Sequence, residues 1–180
     1  MVRISQQVMQ QHFQRGENAS TTTEKGRALE DLICYVFGKV PGIEITMRNS
    51  LNAFNTEEID VALWNAKTLG GIYFLPHILL IECKNWSNPV GSAEVSYFIS
   101  RLQNRGVDHG ILIAVSGITG NSTELTDANF QIATALSKGT HIIVISKQEL
   151  TSLRDTGNLV KLIKEKLCEL AVSGTVLLPA

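Results

Sequence analysis

The sequence has few cysteines and almost no excess of charge, and both absences exclude certain kinds of binding site. Its three cysteines are far apart and fit no Cys-x-x-Cys or Cys/His spacing, so a structural zinc site is not expected. The 16 basic and 17 acidic residues leave a net charge of −1, which argues against a generic cationic coat for nucleic acid. A small basic patch acting together with a metal ion would still be able to hold phosphate groups.

Long hydrophobic runs are also missing. The best apolar stretch is interrupted by His77 and Glu82 and is too short to cross a bilayer. The first seven residues, Met-Val-Arg-Ile-Ser-Gln-Gln, contain no apolar core of a secretory signal. Together these absences predict a cytoplasmic protein without a membrane partner.

The composition, with 44% hydrophobic and 18% charged residues, is that of a globular protein with a substantial core. Residues 1–20 are polar and rich in glutamine, and we interpret them as an N-terminal helix or arm that precedes a single domain, residues 21–180. Thr21 and Glu24 have the spacing of a capping box and predict a helix over residues 24–39. Its apolar residues recur at helical intervals: Leu29, Ile33, Val36 and Val40.

The rest of the chain alternates between strand and helix patterns. Strands are predicted over residues 43–48, 57–64, 78–83, 110–116 and 141–146, and helices over residues 92–105, 127–138 and 158–172. The order αβββαβαβα combines an early antiparallel meander with later parallel crossovers. The predicted fold class is therefore α/β, with three α/β/α layers around a central mixed sheet.

One charged pair stands at the end of an aliphatic run. Glu82 and Lys84 are two residues apart, so they lie on the same face of the predicted strand. Charges at the end of a buried strand are costly unless something uses or compensates them, as a divalent metal and a phosphate would. Taken alone, this spacing is more typical of a surface ion pair.

Two further acids favour a functional role for this pair over a surface ion pair. Asp60 lies on the preceding strand, and an antiparallel pairing would bring it close to Glu82, where two carboxylates repel unless a cation lies between them. Glu30 lies at the border of the apolar stripe of the first helix. A glutamate there is more commonly just a boundary residue of an amphipathic helix than a metal ligand. Oxygen ligands without thiolate or imidazole indicate magnesium or manganese.

The ordered set Lys25-Gly-Arg-Ala-Leu-Glu30, Asp60 and Glu82-Cys-Lys84 resembles the PD-(D/E)xK nuclease superfamily, which has the restriction-endonuclease-like fold. Within it, the chain is most similar to the Mrr-type restriction endonuclease catalytic domain and to Holliday-junction resolvases. The segment from Pro89 into the following helix, and the strand 107–114, add to the likeness. The resemblance covers about residues 24–146.

The resemblance implies a role for each matching residue. Asp60, Glu82 and the backbone carbonyl of Cys83 would bind a catalytic Mg²⁺, for which Mn²⁺ would substitute, and Glu30 would bind it directly, through water, or hold a second ion. Lys84 would orient the attacking water. The implied activity is that of an endodeoxyribonuclease that leaves 5′-phosphate and 3′-hydroxyl ends, acting as a homodimer in bacterial restriction or phage defence. Gln103 is a further candidate for the site, as a polar residue that some family members use there. A glutamine in such a position more often lies on a solvent-exposed helix face.

The sequence departs from the family pattern in ways that leave alternatives open. Ile59 stands where the superfamily often has proline, and specificity would have to come from loops, self-association or a separate recognition or sensor partner. The candidate DNA-contacting segments are residues 49–56, 65–71 and 85–88, and the nearest basic residues are Arg27, Arg48, Arg101 and Arg105.

Three other interpretations remain at this point. One is a non-catalytic nucleic-acid-binding or assembly subunit on the same fold, and another is a nuclease that acts on RNA in place of DNA. A doubly wound small-ligand domain would instead require an all-parallel sheet. The segment 117–123 superficially resembles a phosphate-binding loop but lacks the Gly-Lys-Ser/Thr of the Walker pattern.

Overall fold

The computed structural model describes residues 1–52, 57–120 and 127–174, and all statements on structure refer to these ranges. They form five strands and six helices in the following order: α1 (Gln6–Glu17), α2 (Thr22–Phe37), β1 (Ile43–Leu51), β2 (Glu58–Asn65), β3 (Ile78–Lys84), α3 (Ser92–Asn104), β4 (His109–Ala114), α4 (Asp127–Ser137), β5 (His141–Ile145), α5 (Lys147–Ser152) and α6 (Thr156–Ser173). Among them, no helix is long and apolar enough to cross a membrane.

The five strands form one mixed sheet in the order β1-β2-β3-β4-β5. The pairs β1-β2 and β2-β3 are antiparallel, whereas β3-β4 and β4-β5 are parallel, each joined by a crossover helix. This confirms the predicted α/β fold of restriction-endonuclease type, with a meander followed by crossovers. The antiparallel pairs are incompatible with the doubly wound all-parallel alternative.

Helices cover the sheet on both faces, and each face has its own hydrophobic core. On one face, α1, α2 and α6 pack against the inward residues of the strands, among them Leu29, Ile33, Val61, Leu79 and Ile81. On the other face, α3 and α4 cover β3, β4 and β5 through residues such as Leu80, Phe98, Leu102, Leu112 and Val144. Because β4 is covered on both faces, it is apolar from Gly110 to Ala114, as its sequence predicted.

The N-terminal segment packs onto the domain through α1. Ile4, Met9 and Phe13 are buried in the same core as α2, and Ser5 caps α1 by accepting a hydrogen bond from the backbone of Val8. Within α1, Met9 enters the core, whereas its neighbour Val8 is only partly buried. The short helix α5 had not been predicted, although Ser146 and Glu149 form a complete capping box there.

Candidate active site

The strands β2 and β3 separate at the point where the acidic residues lie. Their pairing extends from Trp64 and Ile78 to Val61 and Ile81, whereas β3 continues to pair with β4 as far as Lys84. Beyond Val61, the carboxylate of Asp60 accepts a hydrogen bond from the backbone N–H of Cys83 at 2.6 Å. A side chain thus replaces the ladder carbonyl, and it holds Asp60 against β3 at the fork.

Glu82 is the most deeply buried acid of the site, with 3% of its surface exposed. Lys84 Nζ lies 2.8 Å from its Oε1, which places the two side chains next to each other as the strand spacing predicted. Arg101 on α3 donates through Nη1 to both carboxylate oxygens, at 2.9 and 2.8 Å. The cost of burying this carboxylate is therefore offset by two cations.

Glu30 reaches the same region from α2. It is 7% exposed, and its Oε2 accepts a hydrogen bond from Asn49 Nδ2 at 3.0 Å. Arg48 Nη2 lies 3.7 Å from the same oxygen and makes a closer ion pair with Asp31. Asn49 has a left-handed backbone, with φ of 47°, inside a strand, and asparagine tolerates this conformation better than most residues.

The acids affect one another electrostatically. Burial and the negative charge of Glu82 raise the pKa of Asp60 to about 7, with Glu30 adding to the shift and the Cys83 N–H and Lys84 opposing it. Burial, followed by the charges of Asp60, Glu30 and Glu82, raises the pKa of the Cys83 thiol well above its usual range. The thiol therefore stays protonated. The repulsion among the carboxylates would be reduced by a bound cation.

Each acid nevertheless points at a protein donor. Among the described ranges, no group of three or more His, Cys, Asp and Glu side chains forms a preformed metal site. Glu82 faces Arg101 and Lys84, Glu30 faces Asn49, and Asp60 faces the Cys83 N–H. The chemistry of the donor set still fits a hard divalent cation, because Asp60, Glu82 and Glu30 supply carboxylate oxygens.

Other predicted positions make contacts that do not involve the four candidate side chains. Gln103 donates to Thr140 Oγ1 at 3.2 Å, near the start of β5, and Arg105 pairs with Glu57. Asn65 is fully buried, and its amide donates to three backbone carbonyls of the loop 72–76, at the opposite end of β2 from Asp60. The turn 65–71 is therefore not beside the acids.

Parts of two predicted segments fall outside the described residues. They are residues 53–56 of the candidate DNA-contacting segment 49–56 and residues 121–123 of the segment 117–123.

Comparison with known families agrees with this geometry. The sequence matches the Mrr-type restriction endonuclease domain family over residues 23–153, which is more than half of the 180-residue chain. The chain belongs to this family. The Mrr-type match begins at the capped start of α2, contains all four candidate side chains and ends after α5. The comparison with curated proteins finds no match.

Membership fixes the general activity of the domain. It is a restriction-endonuclease-like nuclease, and Mrr-type domains act on DNA and generally use divalent metals. The recognition drawn from the residues alone is thereby confirmed.

Sequence reasoning did not assign two residues that contact the acids. Arg101 had been noted only as a nearby basic residue, although its place one turn after Phe98 puts it at the border of the buried stripe of α3. Asn49 had been included only in the candidate DNA-contacting segment 49–56. Because both contacts join elements far apart in the chain, no local spacing announces them.

Proposed function

We propose that this Mrr-type domain is a magnesium-dependent endodeoxyribonuclease whose site is built from Asp60, Glu82, Lys84 and Glu30. The observation that carries the proposal is the fork itself. Asp60 and Glu82 end up on neighbouring strands where the pairing stops, Lys84 lies 2.8 Å from Glu82, and Glu30 contributes to the field on Asp60.

The metal ligands proposed are carboxylates and one carbonyl. Asp60 and Glu82 would hold Mg²⁺ together with the backbone carbonyl of Cys83, and Glu30 would bind directly, through water, or hold a second ion. The Cys83 sulfur is not proposed as a ligand, because burial keeps the thiol protonated. When bound, the ion would polarise the phosphoryl oxygen and make water more acidic, and Mn²⁺ would substitute for it.

Lys84 is proposed to orient the attacking water and to offset the negative charge that develops on the phosphoryl group. The water oxygen forms a bond to phosphorus and releases a proton to the solvent, and the bond from phosphorus to the 3′-oxygen breaks. The 3′-oxygen takes up a proton to become a hydroxyl, and the phosphate stays on the 5′ side. Asp60, with its pKa near 7, is suited to exchange a proton or a metal ion at neutral pH.

A homodimer is proposed because one such site cuts one strand. A separate recognition or sensor partner would supply sequence specificity, and a cytoplasmic role in bacterial restriction or phage defence is proposed by analogy with the family. The division into an N-terminal arm, residues 1–20, and a nuclease-like domain, residues 21–180, remains a prediction.

The test is cleavage of supercoiled plasmid with Mg²⁺ by wild type, Asp60→Ala and Lys84→Ala. We expect each variant to lose at least about 100-fold in rate, the usual scale for such catalytic groups. Lys138→Ala is the matched control, because Lys138 is exposed at the end of α4. Folded variants that cut as fast as wild type would overturn the assignment.

One observation favours a non-catalytic binding subunit as the alternative. The charge of Glu82 is already met by Arg101 and Lys84, so the protein can keep this acid buried without a metal. Calorimetry with Mn²⁺ separates the two functions, because a binding subunit would take up DNA but no ion. Replacing the plasmid with RNA of the same sequence tests for an RNA-directed nuclease.

A further inference from the structure

A cavity next to the acids is lined in part by Cys83 and Lys84 of the proposed site and extends to residues that have no role there. It has a volume of about 360 Å³, in the range of small-molecule sites, and lies between the start of α2 and the end of β3. Its walls include Lys25, Lys84, Asn85, Trp86 and Asn88. It therefore opens directly beside the lysine that is proposed to act on the scissile phosphate.

The wall formed after β3 is held in place from two sides. Asn85 Nδ2 donates to the backbone carbonyl of Lys25 at 2.8 Å, and a Cβ atom on Gly16 would lie only 2.8 Å from this amide nitrogen. Ser116 Oγ donates to the carbonyl of Trp86 at 2.7 Å. The tryptophan is thus presented by an anchored backbone and needs little ordering when a ligand enters.

The side chain of Trp86 combines a partly exposed aromatic ring with a nearby positive charge. It is 42% exposed, and Lys84 Nζ lies 5.4 Å from its ring centroid. A second amine, Lys25 Nζ, reaches Ser87 Oγ at 3.4 Å on the same wall. An aromatic face flanked by amines suits a base with its phosphate, because the ring stacks on the base and the amines meet the anion.

We propose that this cavity holds one unpaired nucleotide of the DNA substrate, with its base stacked on Trp86 and its phosphate near Lys25. The inference rests on the proposed nuclease function and names its substrate class, which is DNA with an unpaired nucleotide beside the cut. Bases inside a duplex present only their edges, so a concave aromatic wall requires a base outside the stack. Overhangs, gaps and flaps supply such a base without the cost of extruding it.

Binding is tested without metal, so that the result does not depend on cleavage. In a Trp64→Phe background, Trp86 is the only tryptophan of the chain, and its fluorescence reports on the cavity directly. With EDTA present, we expect a DNA hairpin with a four-nucleotide overhang to quench this fluorescence and a blunt hairpin to quench it much less. Equal quenching by both hairpins, or quenching by neither hairpin, would overturn the proposal.

Variants then identify the stacking contact. By anisotropy of labelled hairpins, Trp86→Ala should weaken binding of the overhang hairpin about 5- to 150-fold relative to the blunt one, and Trp86→Phe should restore most of it. Tyr73→Ala is the matched control, because Tyr73 is also 42% exposed and also lies under a lysine, at 5.7 Å from Lys164 Nζ. An equal loss in the Tyr73 variant would contradict a specific site.

Cleavage separates this inference from the proposed function. With Mg²⁺, wild type should cut the overhang hairpin faster than the blunt one, and the ratio should fall towards one in Trp86→Ala. If wild type cuts neither hairpin but the EDTA result holds, the cavity stands and the nuclease proposal fails. If wild type cuts both hairpins equally, the cavity inference fails and the nuclease proposal stands.

Discussion

Arg101 on α3 donates hydrogen bonds to both carboxylate oxygens of Glu82, at 2.9 and 2.8 Å. The two residues are 19 positions apart in the chain. The guanidinium occupies the two oxygens through which Glu82 would coordinate a metal ion. An ion that binds Glu82 must compete with Arg101, so the free energy of metal binding and the stability of the metal-free protein are coupled through this one contact.

Replacing Arg101 with methionine should destabilise the metal-free protein and increase its response to metal. Glu82 would remain buried with Lys84 as its main cation, at a cost of roughly 1–3 kcal/mol in free energy of unfolding. Added Mn²⁺ can then take the place of the guanidinium, so its stabilising effect should be larger than in wild type. Thermal unfolding with and without Mn²⁺ measures both effects.

Arg105→Met is the control for that experiment, since Arg105 lies one turn further along α3 and pairs with Glu57. Its unfolding should respond to Mn²⁺ as wild type does. If Arg101→Met instead reduces the Mn²⁺ response, Arg101 supports the metal site and does not compete with it.

Asn49 should have separate backbone and side-chain roles, and two variants distinguish them. Asn49→Ala and Asn49→Gly both remove the hydrogen bond to Glu30, but only glycine accepts a φ of 47° without strain. We expect both variants to bind Mn²⁺ more weakly by calorimetry, and the alanine variant to be about 1 kcal/mol less stable than the glycine variant. Unchanged Mn²⁺ binding in both would show that Glu30 does not need Asn49.

Asp60 should make the metal-free protein less stable as the pH rises. Its pKa increases from an ordinary 3.8 to about 7 because of burial and the charge of Glu82. The stability gained from the protonated form is complete below pH 4 and is lost as the pH passes 7, where the folded protein must ionise a buried acid. The stability advantage of Asp60→Asn over wild type should therefore be greater at pH 8.5 than at pH 5.

Urea unfolding in EDTA at the two pH values gives this comparison. Two curves that differ by the same free energy at both pH values would mean that Asp60 is ionised throughout. The same series with Mn²⁺ should reduce the pH dependence, because a bound cation favours the ionised acid.

A second buried ion pair, away from the fork, should be a major determinant of how α6 docks. Lys166 Nζ lies 2.5 Å from Glu149 Oε1, with only 4% and 9% of the side chains exposed. Lys166→Met leaves the acid buried and unpaired, which should cost about 3–5 kcal/mol in urea unfolding. The double variant with Glu149→Gln should recover much of this loss, because glutamine is neutral and still completes the capping box with Ser146.

Lys161→Met provides the comparison for a solvent-exposed lysine on the same helix. Lys161 pairs with Glu165 one turn away, and its side chain is 75% exposed. Its replacement should change stability by about 0.5 kcal/mol or less. A similar loss in both lysine variants would mean that burial of the Lys166 pair is not what matters.

Much of the architecture could be predicted from local patterns. The capping box at Thr21, the apolar spacing of α2 and α3, and the continuous apolar run of β4 each specify an element through contacts within a few residues. The change from meander to crossovers follows from the order of those elements. The bounds of α1 were harder to predict, because this helix buries only Met9, Phe13 and Gly16.

By itself, the sequence determined the fold class, the family and the adjacency of Glu82 and Lys84, because strand periodicity alone puts residues i and i+2 on one face. Only the tertiary structure decided which partners these acids have. Arg101 reaches Glu82 across 19 residues and Asn49 reaches Glu30 across 19 residues, and both contacts depend on how helices are placed on the sheet. Such long-range pairings carry no local signature, because their stabilisation comes from burial and charge in the assembled fold.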